Sequence, residues 1–236
     1  MNSTAILVGG ILPYLAFTTF MIGVAYRLLS WRRVKQPAVM TLYPTQGSGW
    51  KELVREALFF PSLWRGDRTL WLLAWSFHAA LALAFIGHWR VVSEAIDRGA
   101  SLVGLGAGTM AALSAGAGGF AGVVLLATIL LFLGRRLFVT RVREISAAPD
   151  FFALLLLVAV IVTGDLLRFG ASHVDLAATR AWALSLLAFS PTVALPAAVL
   201  LHLLCVELLV LYLAFSKLMH FGGFFFTFSL VKRSAP

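Results

Sequence analysis

Cysteine is all but missing: Cys205 is the only one in 236 residues. No disulfide can form within the chain, and four-cysteine ligation of an iron–sulfur cluster is excluded in it. Any such cluster belongs to a partner. Charge is scarce too. Asp, Glu, Lys and Arg make up 12% of the residues, where a soluble globular chain carries about a quarter. Acidic residues are the rarer sign, ten against nineteen basic, and the net charge is +9. Such a balance suits nucleic acid only when the basic residues gather into a patch or stripe. Here they sit in the gaps between apolar runs, which argues against a nucleic-acid partner.

What remains is apolar: 61% of residues are hydrophobic and the mean hydropathy is +0.93. Runs at about 5–28, 69–91, 103–134, 150–169 and 188–216 reach the ~20 residues that a helix needs to cross a hydrocarbon core. The expectation is an all-α integral membrane bundle of five transmembrane helices, a single domain over 1–236, multi-pass in the cell membrane. The first run follows "MNSTA", with no basic stretch before it and no small-residue cleavage site after it, and reads as a retained helix. The third opens "GLGAGTMAALSAGAGGFAG". Its first part is either a loop or a separate short helix, and its small residues permit close helix–helix approach.

Basic residues assign direction. The gaps after the first and third runs, with the C-terminus, hold fifteen Lys and Arg; the opposite side holds Arg90, Arg98, Arg168 and Arg180. The positive-inside rule then puts the N-terminus outside and the C-terminus in the cytoplasm. The gap 29–68 contains "WKELVREALFFPSLW", amphipathic on a helical wheel. It is suited equally to lying on the membrane surface and to docking a cytoplasmic partner. "GRRLFVTRVR" (134–143) is a basic loop that serves topology, contact with a partner or haem propionates, or both.

Five histidines stand in this background. His173 falls in an outside gap and reads as a solvated loop residue. His78 and His88 lie in the second run; His202 and His220 bracket the fifth. The two runs are antiparallel, so the four sort by depth: His88 with His202 toward the outside, His78 with His220 toward the cytoplasm. Paired imidazoles at two depths are what two stacked b-type haems require as axial ligands. Eighteen residues, five full turns, put His202 and His220 on one helical face, with a rise of about 27 Å. His78 and His88 are separated by about 15 Å and about 80° on an ideal wheel, so straight helices alone do not bring both pairs level. The plainer reading makes each histidine a satisfied polar residue of a bundle or an interfacial ring. Intramembrane ionisable groups nonetheless point to function. Asp165 and Glu207 are carboxylates near apolar sequence and are candidates for relaying protons near an outer haem, although Asp165 is equally suited to pairing with Arg168.

The stretches "FHAALALAFIGH", "GGFAGVVLLATILLFLGRRLFVTRVR" and "LHLLCVELLVLYLAFSKLMH" together resemble the gamma-subunit family of respiratory nitrate reductase, five-helix dihaem cytochromes b, over most of the chain. The resemblance implies two haem b groups, an inner one on His78 and His220 and an outer one on His88 and His202. It implies quinol oxidation (menaquinol or ubiquinol) near the outer haem, protons leaving outside, and electrons passing inward to a cytoplasmic-facing iron–sulfur subunit and on to a catalytic subunit. His88, Trp89, Arg90 and Asp165 are the quinone-site candidates. Two stretches depart from the enteric nitrate-reductase members: "GTMAALSAG" lacks their lysine, and "REALFFPSLWRGDR" looks more like relatives serving dissimilatory sulfite reductase or heterodisulfide-reductase-like complexes. The readings are therefore a quinol-oxidising oxidoreductase subunit of nitrate-reductase-gamma type, the same cytochrome in a sulfur-metabolism complex, or a non-redox transporter or assembly factor. The last finds no internal repeat or paired broken helices in its support.

Overall fold

The structure, a computed structural model, describes residues 3–33, 43–45, 49–170 and 174–234. In chain order its helices are α1 (Ser3–Arg33), α2 (Gly49–Phe59), α3 (Pro61–Gly66), α4 (Arg68–Val92), α5 (Ala95–Leu102), α6 (Ala107–Phe138), α7 (Thr140–Glu144), α8 (Ala148–Phe169), α9 (Leu176–Leu187), α10 (Ala197–Leu213) and α11 (His220–Val231). Two three-residue strands, β1 (Tyr43–Thr45) and β2 (Lys232–Ser234), pair in parallel. Among the described residues α1, α4, α6 and α8 are long and apolar enough to cross a membrane, and a bent pair, Ala197–Leu213 with Lys217–Phe225, makes a fifth if it is one span. The described residues fall into two compact units, one within Met1–Ala16 and Ser76–Leu209, the other within Phe17–Trp75 and Val210–Pro236.

In the first unit the core is Phe77 and Ala80 of α4, Ala121, Leu125 and Ile129 of α6, and Ile161 of α8. The glycines of α6 are what let α8 approach. The Asp165 carboxylate lies directly on Gly122, the Arg168 guanidinium 2.9 Å from where a Cβ on Gly118 would stand, and the Phe169 ring 3.2 Å from the same point on Gly119. Asp165 and Arg168 thus rest on different glycines, one turn apart. The third apolar run opens as a loop over 103–106, with Gly104 at φ 83°, and is one uninterrupted helix from Ala107, which includes the rest of its Gly-rich part. A π-helical turn at Leu7–Ile11 opens α1 near Gly9, whose carbonyl accepts from the Trp182 indole at 2.7 Å.

The fifth run departs from expectation at both ends. Residues 190–196 are not helical, because Pro191 and Pro196 remove backbone donors and restrict the residues before them. Before them lies α9, a short apolar helix in what apolar-run counting left as the gap between the fourth and fifth runs; Asp175 caps its start, accepting from Ala177 N at 2.8 Å and Ala178 N at 3.2 Å. At the other end the helix stops at Leu213.

The cause of that stop lies in the second unit. The Ser216 hydroxyl donates to the Leu213 carbonyl at 3.0 Å and accepts from Leu218 N at 3.1 Å, so it closes one helix and caps the next turn. Arg27 donates to the Phe215 carbonyl at 2.9 Å, and Ala214 packs against Gly23, 2.6 Å from the point a Cβ would occupy. The two pieces meet at 73°. The face-sharing argument for His202 and His220 therefore fails: it assumed eighteen residues of continuous helix. The amphipathic stretch of 29–68 is helical in part, as α2 and α3, with a break where Phe60 adopts φ 50° ahead of Pro61. Indole donors of Trp71 and Trp75 reach the carbonyls of Phe59 and Leu58 at 2.7 and 3.1 Å and tie α2 to the start of α4.

Candidate cofactor site

Three helices of the first unit meet at one histidine pair. His88 lies near the end of α4 and His202 near the start of α10; their ring centroids are 6.4 Å apart with the planes 31° from parallel. A metal ion bonded at about 2 Å to one nitrogen of each of two imidazoles sets the centroids roughly 6 Å apart, so the spacing fits two rings sharing one metal.

The other ring nitrogens are already engaged. His88 Nδ1 lies 2.7 Å from the Ala84 carbonyl, one turn back on α4. A carbonyl only accepts, so Nδ1 donates, and Nε2 is the nitrogen left to bind a metal. His202 Nδ1 lies 2.9 Å from Thr163 Oγ1 on α8. The Thr163 hydroxyl spends its single proton on the Ala159 carbonyl at 2.7 Å, with Val160 O at 3.1 Å. With that proton on the Ala159 carbonyl, the Thr163 oxygen accepts and His202 Nδ1 donates. With Nδ1 donating, each ring offers Nε2 as a ligand; the Val160 carbonyl is a second hydrogen-bond partner of the His202 ring. Gly164 makes the approach possible, since a Cβ there would stand 3.2 Å from His202 Cε1.

The remaining candidates are placed as follows. His78 is half-buried on α4, edge-on to Phe77 at 5.5 Å between centroids; it belongs to the first unit. His220, exposed and first in α11, belongs to the second. His173 lies outside the described residues. Trp89 is exposed. Arg90 is engaged: its guanidinium pairs with Asp97 at 2.7 Å, and its carbonyl accepts from Arg180 Nη2 at 2.8 Å and Nε at 3.0 Å. Arg180 also reaches Asp97 at 3.0 Å and Glu94 at 3.2 Å. The hydrogen bond from Arg90 holds the Asp97 carboxyl below its ordinary value; burial opposes this, and the Arg90 charge and the Arg180 hydrogen bond support it. Glu207 is buried on α10, and neither of its carboxyl oxygens has a hydrogen-bond partner among the described residues.

Sequence reasoning missed Thr163, Gly164 and the Arg180–Asp97–Glu94 cluster. A signal for the first two exists: "VTGD" (162–165) interrupts an otherwise unbroken apolar run, and a hydroxyl beside a glycine inside a span marks a place where another side chain comes close.

Four or five apolar helices among the described residues, long enough to cross a membrane, make this a multi-pass helical membrane protein, with exposed His88 and half-buried His202 6.4 Å apart on two of them. A model of the nitrate reductase gamma subunit family matches residues 63–235, and the chain belongs to that family. It is 30% identical, over 94% of its own length and 78% of the other's, to a protein of Archaeoglobus fulgidus described as an Hdr-like menaquinol oxidoreductase cytochrome b-like subunit. A protein of the same description from Archaeoglobus profundus is 26% identical over 92% of this chain and 76% of its own.

Proposed function

We propose that this chain is the dihaem cytochrome b subunit of a quinol-oxidising complex in the cell membrane. It takes electrons from menaquinol near its outer face and delivers them to a cytoplasmic-facing iron–sulfur partner, beyond which lies a catalytic subunit. The relatives' description favours an Hdr-like complex over a nitrate-reducing one, as does the stretch "REALFFPSLWRGDR". The observation that carries the reading is the His88–His202 pair: 6.4 Å between centroids, with Nδ1 of each ring engaged, on Ala84 O and on Thr163 Oγ1. On this reading His88 and His202 hold the outer haem and His78 and His220 the inner one. Haem, when bound, supplies one-electron redox chemistry at a potential set by its surroundings.

The chain's own residues do the rest. Ala84 O and Thr163 Oγ1 hold the ligand tautomers. The apolar walls of α4, α6 and α8 exclude water. Oxidising one quinol releases two electrons inward and two protons outward. Asp165, next in sequence to the glycine beneath the His202 ring, is the carboxylate this reading assigns to accept a proton from the headgroup. Trp89 is exposed at the same end of α4 and offers a surface for the quinone ring. Arg90, committed to Asp97, holds the end of the helix that carries His88.

The test is a dithionite-reduced-minus-oxidised spectrum with haem quantitation on wild type, His88→Ala and His220→Ala. The expected result is two b haems in the wild type and loss of a different one in each variant. Haem-free wild type, or full haem content in both variants, overturns the reading.

A further inference from the structure

We infer that Thr163 is a positioning residue for His202: its hydroxyl oxygen, by accepting the Nδ1 proton, strengthens Nε2 as a donor to iron and so sets the potential of the outer haem. This rests on the reading of His202 as a ligand of that haem. The geometry is a short relay. The Ala159 carbonyl accepts from Thr163 at 2.7 Å, and Thr163 accepts from His202 at 2.9 Å. Each bond polarises the next, so the hydroxyl is a better acceptor for having given its own proton away. An acceptor on the far side of a ligating imidazole raises the ligand's basicity and fixes its orientation.

Three features single out the hydroxyl rather than the bulk of the side chain. First, a β-branched residue in a helix has few χ1 options, and the one adopted points Oγ1 at both Ala159 O and His202. Second, Gly164 next door is bare where a Cβ would meet the same ring at 3.2 Å, so the local sequence is arranged for the ring to reach Thr163. Third, His88 is served by a backbone carbonyl and His202 also meets the Val160 carbonyl, neither of which substitution can remove; among the described residues Thr163 is the side chain hydrogen-bonded to this histidine pair. A more basic ligand favours ferric iron and lowers the potential; removing the acceptor raises it.

The experiment is a potentiometric titration of both b haems in the intact membrane complex, comparing wild type with Thr163→Val, Thr163→Ala and Thr163→Ser. Val keeps the volume and a methyl without the hydroxyl, Ala keeps neither, and Ser keeps the hydroxyl alone. The expected result is that Val and Ala raise one midpoint and leave the other unmoved. The rise corresponds to about tenfold in the one-electron equilibrium, roughly 60 mV, and Ser stays at the wild-type value. Loss of the outer haem from Val and Ala, with Ser loaded, would show that the hydroxyl holds the site together rather than tuning it, and would overturn the inference. Ser grouping with Val and Ala, or Val matching wild type at both midpoints, overturns it. A wild type with no b haem at all would overturn the ligand assignment instead, and the two failures are told apart in the first spectrum.

Discussion

Glu207 is 4% exposed, and neither carboxyl oxygen meets a donor among the described residues. A buried polar group without a partner costs about 1–3 kcal/mol, and replacing it with an apolar group of similar shape removes that cost. Glu207→Leu is therefore expected to raise the thermal midpoint of the detergent-solubilised chain, by an amount equivalent to about 1–3 kcal/mol, with Glu207→Gln close to wild type. A lowered midpoint for the Leu variant would mean that the carboxyl holds a group outside this chain. At this scale the histidines were legible, because ionisable rings in apolar sequence are rare and their depth order follows from charge counting alone. Of the two pairs that ordering proposed, His88 and His202 lie close together, 6.4 Å between ring centroids. Thr163 was not legible as a partner of His202: they are 39 residues apart in sequence, and a lone threonine in a span has a plain alternative in bonding to its own helix. It does that too, and only its second bond, across helices, reveals the role.

At the scale of elements, apolar length found α1, α4, α6 and α8 to within a few residues. It failed at the fifth run, where short-range chemistry outweighs hydropathy: two prolines delay the start to Ala197, and the Ser216 hydroxyl ends the helix at Leu213. The ends of α4, α5 and α9 are joined by charge, which apolar counting cannot see. Arg180 caps the Arg90 carbonyl at the end of α4 and shares Asp97 with the Arg90 side chain, so one arginine fastens the helix end two residues beyond His88. The pH dependence follows from Asp97. Its carboxyl titrates below the ordinary 3.8 in the folded chain, so the latch contributes in full above that value and is lost as pH falls through the lowered one. Asp97→Asn stands in for the protonated state. The expected outcome is a lower melting temperature than wild type at pH 7, with the two curves converging below pH 3.8. A difference that persists unchanged into strong acid would show that the Asp97 charge does not carry the latch.

At the scale of the whole chain, the number of crossings decides which side each terminus occupies, and charge supplies an independent answer. The α10 helix has 17 residues, about 26 Å of rise, slightly short of the ~30 Å hydrocarbon core. It completes a crossing comfortably only if the bent continuation through Lys217–Phe225 adds to it. Starting outside, two crossings return the chain to the outside at Gly104, three carry it inside at the Arg135–Arg143 cluster, and the C-terminus is inside only if the bent pair is a span. Lys217, Lys232 and Arg233 favour inside by the positive-inside rule. Reporter fusions that are active on one side of the membrane only test this directly, one inserted at exposed Gly104 and one at the C-terminus. The expected result is Gly104 outside and the C-terminus cytoplasmic. Both on the outside would mean that Ala197–Phe225 enters and leaves by the same face. That would put His202 and His220 on the same side, and the inner haem pairing would fall while the His88–His202 site kept its geometry. Gly104 inside with the C-terminus outside would reverse the orientation and move quinol oxidation to the cytoplasmic face.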